Sequence, residues 1–277
     1  SYGFCGQSVM TVHATSSGRN LIKDPKLKWL TRLRLARDLA RGLADLHSFA
    51  PLSYLHEASS NGITEPKLIF AHHDVNIANT IAVNEMQIQW NDFNLGIIAR
   101  HAKEKNGKHS QGHHRPCPIP IRYSGPLWRS PEEILNQTGY LSPFDNAVQA
   151  ADVYSLGNIL FQVLSKHQPW SHLEGDAESS TFNQTKDTVV KLDTSSGQTE
   201  KEDSLARIAQ AKLEGRLPNM PDRYLSRKEA QLLWNEIRRC YRPNPTDRPS
   251  ALEVAQALGR AYDKYYQKAN KKIEGKI

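Results

Sequence analysis

The stretch VYSLGNILFQVL, residues 153–164, sets the tightest limit on what this chain can fold into. Val153, Leu156, Ile159, Leu160, Val163 and Leu164 recur at helical spacing and cover more than one face, so a helix here has to be buried on several sides. It includes Ser155, Gly157, Asn158 and Gln162 and falls short of the ~18 apolar residues that a bilayer crossing takes. It reads as a core helix, and no membrane span is expected in this chain. A chain of 277 residues can bury such a helix within one large domain or two modest ones. With 38% hydrophobic and 23% charged residues, disorder, collagen-like and repeat architectures are disfavoured for the chain as a whole.

Helical spacing also runs through Trp29, Leu30, Leu33, Ala36, Leu39, Ala40, Leu43 and Leu46. Asp24 as N-cap and Pro25 at the first helical position predict a helix from there to near His47. Ahead of it, GQSVMTVHAT reads as a strand entering a polar connector, SSGRN. Residues 48–66 read as a connector with room for one short helix. LIF, TIAV and QIQW read as short β segments, and residues 94–121 as irregular, basic and proline-containing. The core helix is expected to begin after Ser142 and Pro143. The Ser-, Thr-, Asp- and Glu-rich stretch at about 173–204 reads as a flexible insertion. Two capping boxes, Ser226 with Glu229 and Ser250 with Glu253, open the last helices. The expected class is mainly α with a small β component, α+β.

The formal charge of +7 is uneven. Residues 99–116 carry Arg100, Lys103, Lys105, Lys108 and Arg115 with four histidines against Glu104, and the tail is lysine-rich. Such a loop can attract nucleic acid, acidic lipid or an acidic peptide. No aromatic platform is interleaved with the charges, so no specific nucleic-acid partner is expected. Cys5, Cys117 and Cys240 are odd in number and widely spaced, against a disulfide framework or paired zinc ligands. SYGFCGQSVM lacks the basic start and apolar centre of a signal peptide and reads as the middle of a strand. The chain is therefore expected to be a piece of a longer protein. A cytoplasmic setting is favoured, with an upstream targeting or membrane segment left open. Two sequons, at Asn136 and Asn183, matter only in a secretory compartment. No feature bears on oligomeric state.

The span FAHHDVNIANTIAVNEMQIQWNDFNLG, residues 70–96, gathers Asp74, Asn79 and Asp92 into turn, strand and turn. Asp and Asn are good turn residues, and each alone says little more. Phosphoryl transfer from a nucleotide needs a divalent metal on oxygen ligands and a carboxylate to receive or orient the attacking hydroxyl. These three side chains offer that set, and a β-hairpin between the two loops would bring them together.

HHDVNIAN, residues 72–79, resembles the catalytic loop H-R-D-x-x-x-x-N of the protein kinase family, and DFN, residues 92–94, resembles its D-F-G. SPE, residues 130–132, stands where the family has A-P-E. DVYSLG, residues 152–157, is similar to the D-x-W-S-x-G that opens the family's long buried helix. RPNPTDRPSALEVAQAL resembles the closing segment with its buried arginine, here Arg248. These stretches come in family order and span nearly the whole chain. The helix around residues 29–47 and DRPSALEV are most like the tyrosine-kinase-like and serine/threonine branches. The resemblance implies a kinase C-terminal lobe over 17–277, preceded by the last strands and hinge of an N-terminal lobe over 1–16, with an activation segment at 92–132.

It further implies ATP and Mg²⁺ as cofactors and a protein substrate, with an acidic one suggested by the basic run. Asp74 would accept or orient the substrate hydroxyl, with Asn76 beside it among the catalytic positions. Asn79 and Asp92 would hold Mg²⁺ against the phosphates. Ile81 would form the floor under adenine, with Val12 and His13 at the hinge. His72 and Phe93 would stack as support, Asp152 would anchor the catalytic loop's backbone, and Glu132 would pair with Arg248.

The chain also departs from the pattern. His73 replaces an arginine that often binds activation-loop phosphate, and Asn94 replaces the glycine of D-F-G. Asn76 replaces a lysine that contacts the transferring phosphoryl group, for which Lys103 or Arg100 are candidate substitutes. Nothing resembles the glycine-rich loop, the V-A-I-K lysine or its partner glutamate. Tyr123 and Ser124 are candidate phosphorylation sites near the substrate-binding loop. Three readings follow: a protein kinase acting on serine or threonine ahead of tyrosine, a pseudokinase that binds or scaffolds, and a small-molecule phosphotransferase. SPE, DVYSLG and Arg248 disfavour the last.

Overall fold

In a computed structural model, the described residues are 3–5, 8–10, 13–48, 68–84, 87–100, 119–121, 125–137, 139–141, 147–173 and 196–274. Strands β1 (Gly3–Cys5) and β2 (Ser8–Met10) pair antiparallel. Then follow β3 (Ser16–Ser17), the short α1 (Gly18–Lys23) and the long α2 (Trp29–His47). Strands β4 (Leu68–Ala71), β5 (Thr80–Asn84), β6 (Gln87–Trp90) and β7 (Ile97–Arg100) come next. Strand β8 (Ile119–Pro120), helix α3 (Pro131–Leu135) and strand β9 (Tyr140–Leu141) lead to α4 (Ala147–Ser165). The chain closes with α5 (Ser196–Leu213), α6 (Lys228–Cys240) and α7 (Ala251–Glu274). This is the expected α+β class, mainly helical with small antiparallel strand groups.

Helix α4 is buried from Ala151 to Ser165, as an apolar surface on more than one face requires. Helices α2 and α6 pack on it, and α7 lies along α2. Leu33, Leu39, Leu43, Leu156, Ile159, Leu160, Leu233, Ile237, Val254 and Leu258 form the centre of one core. Two buried polar residues of α4 have partners there. Ser155 and Asn158 donate to the Trp128 carbonyl at 2.6 and 3.3 Å, and Asn158 accepts from the Tyr241 hydroxyl at 2.7 Å. Gly157 keeps α4 close to the end of α6, since a Cβ there would stand 3.0 Å from that of Cys240. Among the described residues no helix is long and apolar enough to cross a membrane.

Several boundaries differ from the sequence expectation. The supposed connector SSGRN starts a helix, because the Ser17 side chain accepts from Asn20 N and caps α1. Asp24 ends that helix and its carboxylate accepts from Lys26 N at 2.9 Å, so α2 starts only at Trp29. Ser226 does not cap α6. Glu229 turns instead to Arg227, 3.6 Å away. Residues 94–121 are not wholly irregular, because β7 pairs with β4. The end of the supposed insertion is helical in α5, where Ser204 is buried. All of the connector but Ser48, together with Lys103, Tyr123, Ser124, Ser142 and Pro143, lies outside the described residues.

The sheet that matters for the site is β3-β5-β6, in which β5 and β6 form the expected hairpin with an irregularity between Ala82 and Asn84. It rests on α2 through Trp90, whose Nε1 donates to the Leu39 carbonyl at 2.9 Å. Helix α1 comes so close to β5 that a Cβ at Gly18 would stand 2.1 Å from the Thr80 Oγ1.

Candidate active site

The loop after β4 is held from beneath by α4. Asp152, 3% exposed, accepts from His72 N at 2.7 Å on Oδ2 and from His73 N at 2.8 Å on Oδ1. His47 Nε2 lies 3.0 Å from the same Oδ2. These bonds fix His73 at φ 59, a left-handed conformation that a side chain disfavours. The turn directs the next residue, Asp74, outward.

Beyond it Asn76 caps a single 3₁₀ turn, Ile77–Asn79, accepting from Ala78 N at 2.8 Å and Asn79 N at 3.3 Å. Its amide also donates to the Asp74 carbonyl at 3.2 Å. Asn79 closes the loop: its Nδ2 donates to the Asp74 carbonyl at 2.8 Å and to Asp74 Oδ2 at 2.7 Å. Asp74, Asn76 and Asn79 thus form one hydrogen-bonded unit.

The hairpin brings the second loop alongside, where Asn91 N donates to the Asn79 carbonyl at 2.9 Å. Asp92 follows, exposed and at φ 56, with Oδ1 accepting a long 3.4 Å bond from Asn94 N. The His72 ring packs on Phe93 at 5.1 Å and on Trp90 at 5.5 Å between centroids, joining the two loops. Ile81 is half-buried in β5, paired with Ser17 and Gln89. His13 is exposed ahead of β3, and Val12 lies outside the described residues. Glu132 and Arg248 pair with each other on a different part of the molecule's interior scaffold, where Arg248 also bonds the Ala150 carbonyl of α4.

Because Asn79 Nδ2 is occupied by Asp74, its Oδ1 is the atom left to meet a cation. The carboxylates of Asp74 and Asp92 are the other hard-oxygen donors that the two loops carry. Mg²⁺ is suited by one or two carboxylates together with water and substrate phosphates, so the residues fit a nucleotide-bound ion. Among the described residues no three His, Cys, Asp or Glu side chains cluster to hold a metal by themselves.

The sequence reading missed a basic side chain at the site. Arg129 Nη2 lies 3.9 Å from Asp74 Oδ1, while Nη1 donates to the His73 carbonyl at 2.9 Å and to Glu133 Oε1 at 3.1 Å. Glu133 in turn accepts from Ser130 N and Oγ at 2.9 and 2.8 Å, a capping box on α3. The S-x-x-E pattern at Ser130 could have revealed that box. Arg100 sits elsewhere: the β4–β7 register sets it opposite Leu68 and Ile97 opposite Ala71, so Arg100 lies at the strand end away from the loop. That offset is about 10 Å along the strand.

No protein-family model matches the chain. Curated proteins do. The chain is 24% identical over 172 residues to the dual specificity protein kinase shkC of Dictyostelium discoideum, covering 60% of this chain and 27% of that protein. It is 25% identical over 208 residues to mitogen-activated protein kinase kinase kinase 3 of Arabidopsis thaliana, covering 75% and 23%. To the dual specificity protein kinase shkA of Dictyostelium discoideum it is 25% identical over 241 residues, covering 86% and 33%. The matched part thus spans a third or less of each of these relatives. The chain is related to the protein kinase family.

Proposed function

We propose that this chain carries the C-terminal lobe of a phosphotransferase that moves the γ-phosphate of ATP to a protein hydroxyl, serine or threonine ahead of tyrosine. The observation that carries the reading is the clamp on Asp74: Asn79 holds both its carbonyl and its Oδ2, while Asp152 holds the two backbone amides before it. A carboxylate fixed in this way suits the positioning on which phosphoryl transfer depends. Asp74 orients the substrate hydroxyl, whose oxygen bonds to the γ-phosphorus as the bond to the β–γ bridging oxygen breaks. ADP leaves with that electron pair, and the hydroxyl proton passes to Asp74. Asn79 Oδ1 and Asp92 would hold Mg²⁺, which when bound neutralises charge on the phosphates. Ile81 would lie under adenine, with Val12 and His13 at its edge. The basic run at 99–116 suits an acidic protein substrate.

A second reading, a nucleotide-binding pseudokinase, is favoured by one observation. Asn76 brings no charge, and its side chain is occupied in capping the 3₁₀ turn. Phosphate transfer by the full-length protein with ATP and Mg²⁺, compared with Asp74→Asn, separates the two. The kinase reading expects a loss of about a hundredfold or more in kcat, with a nucleotide-induced rise in Tm retained. Equal rates would reject Asp74. A wild type that gains Tm with nucleotide but transfers nothing supports the pseudokinase.

A further inference from the structure

We infer that Arg129 is a positioning residue for the Asp74 carboxylate and supplies the cation that the loop itself lacks at Asn76; this rests on the phosphotransferase reading above. The loop from Asp74 to Asn79 contains no basic residue. Asp74 nevertheless faces a guanidinium, because Arg129 Nη2 stands 3.9 Å from Oδ1 while Asn79 holds Oδ2 at 2.7 Å. That separation exceeds a hydrogen bond and lies within ion-pair range, so Arg129 acts on Oδ1 through charge. The two contacts come from opposite ends of the carboxylate and restrict its rotation.

Arg129 cannot easily be elsewhere. It is 5% exposed, its Nη1 is fixed on the His73 carbonyl and Glu133, and its own carbonyl accepts from Lys212 Nζ at 2.9 Å. Glu133 is held by Ser130, so the group that holds the guanidinium is itself fixed. Burial keeps the charge poorly screened, which makes it stronger at Asp74 than a mobile surface lysine would be. Arg129 Nε is buried without a hydrogen-bond partner among the described residues, as expected where placement of the fork toward Asp74 takes precedence over full pairing. Arg129 also directly precedes Ser130-Pro131-Glu132, so it ties that segment to the loop bearing Asp74.

The alternative is a purely structural stitch between segments. The two differ in what can replace Arg129. Full-length wild type, Asp74→Asn, Arg129→Met, Arg129→Lys and the double variant Arg129→Met with Asn76→Lys are compared in steady-state phosphate transfer, with folding verified by the nucleotide-induced Tm rise. For Arg129→Met, kcat falls about tenfold or more while KM for ATP stays within about twofold. Arg129→Lys retains more activity than Arg129→Met, and Asn76→Lys in the Arg129→Met background recovers most of the lost kcat. If Arg129→Met does not fold, Arg129→Gln, which keeps a donor without the charge, takes its place. An unchanged kcat in the folded neutral variant, or a loss that appears in KM for ATP rather than in kcat, overturns the role of Arg129 while Asp74→Asn remains inactive. A wild type without transfer, or an Asp74→Asn variant as fast as wild type, overturns the phosphotransferase reading and the inference with it.

Discussion

Arg248 grips Glu132 with both arms of its guanidinium, Nη1 at 2.6 Å from Oε1 and Nη2 at 2.7 Å from Oε2. Its remaining donors reach the carbonyls of Arg242, Ala150 and Pro243, and its face lies 4.9 Å from the Tyr154 ring. The Arg248 side chain is 0% exposed, so removing its partner strands a buried charge. Glu132→Ala is expected to destabilise the fold by about 3–5 kcal/mol, and Arg248→Lys to be nearly as harmful because an ammonium cannot reproduce the fork. Urea unfolding measures both. A loss below about 1 kcal/mol for Glu132→Ala would mean the pair behaves as an exposed one.

Asp152 plays a different part, since two of its three partners are backbone amides, the third being the His47 ring. Asp152→Ala leaves the N–H groups of His72 and His73 without acceptors and releases the φ 59 turn at His73. The expected cost is about 1–3 kcal/mol, with amide exchange at His72 and His73 speeding up more than in the rest of the core. Uniformly faster exchange throughout α4 would instead point to a global loss.

The two long helices were legible because their apolar periodicity is a direct image of burial: Leu33, Leu39, Leu43, Leu156 and Leu160 all lie in the core. The β5–β6 hairpin was legible because two short β runs flank a brief turn. Helix starts were less so. Asp24-Pro25 matches a start signal, but Ser17 had already capped a helix that Asp24 ends. The place of Arg129 at the site left no mark in the sequence, because the two contacts that bring it there are to a carbonyl 56 positions away and to a carboxylate in another loop, and its local contact, to Glu133 four residues on, does not point to Asp74. Arg100 was nominated by its charge alone, and strand register, which charge does not report, sets it at the wrong end.

The cap of α7 gives a pH-dependent term. Glu253 accepts from Ser250 N at 2.7 Å and Ser250 Oγ at 2.9 Å, and these two bonds hold its carboxyl below the ordinary value of 4.5. The folded value lies below the unfolded one, so the stabilisation is present above 4.5 and is lost as pH falls through the lowered folded value. Ser250→Ala should cost about 1 kcal/mol near neutral pH. Glu253→Gln should be less stable than wild type near neutrality, and the gap should close in acid. A gap that persists well below 4.5 would assign it to packing.

Lys212 carries the opposite dependence. Its Nζ is buried between the rings of Tyr154 and Trp170, 5.1 and 5.8 Å away, and donates to the carbonyls of Leu127 and Arg129 at 2.9 Å each. Burial holds its ammonium well below the ordinary 10.5, with Glu133 pulling it partly back up. The unfolded chain then binds more protons than the folded one between the lowered value and 10.5, so this residue's contribution grows as pH rises through that window. The neutral amine still donates to both carbonyls. Lys212→Met leaves those carbonyls unpaired and should cost about 1–3 kcal/mol. Its deficit relative to wild type should widen from neutral pH toward 10, as read by paired denaturation curves. Glu133→Gln removes the charge that favours the ammonium, so the rise should begin at lower pH in that background. A deficit independent of pH would mean that Lys212 keeps its proton throughout, with Glu133 outweighing burial.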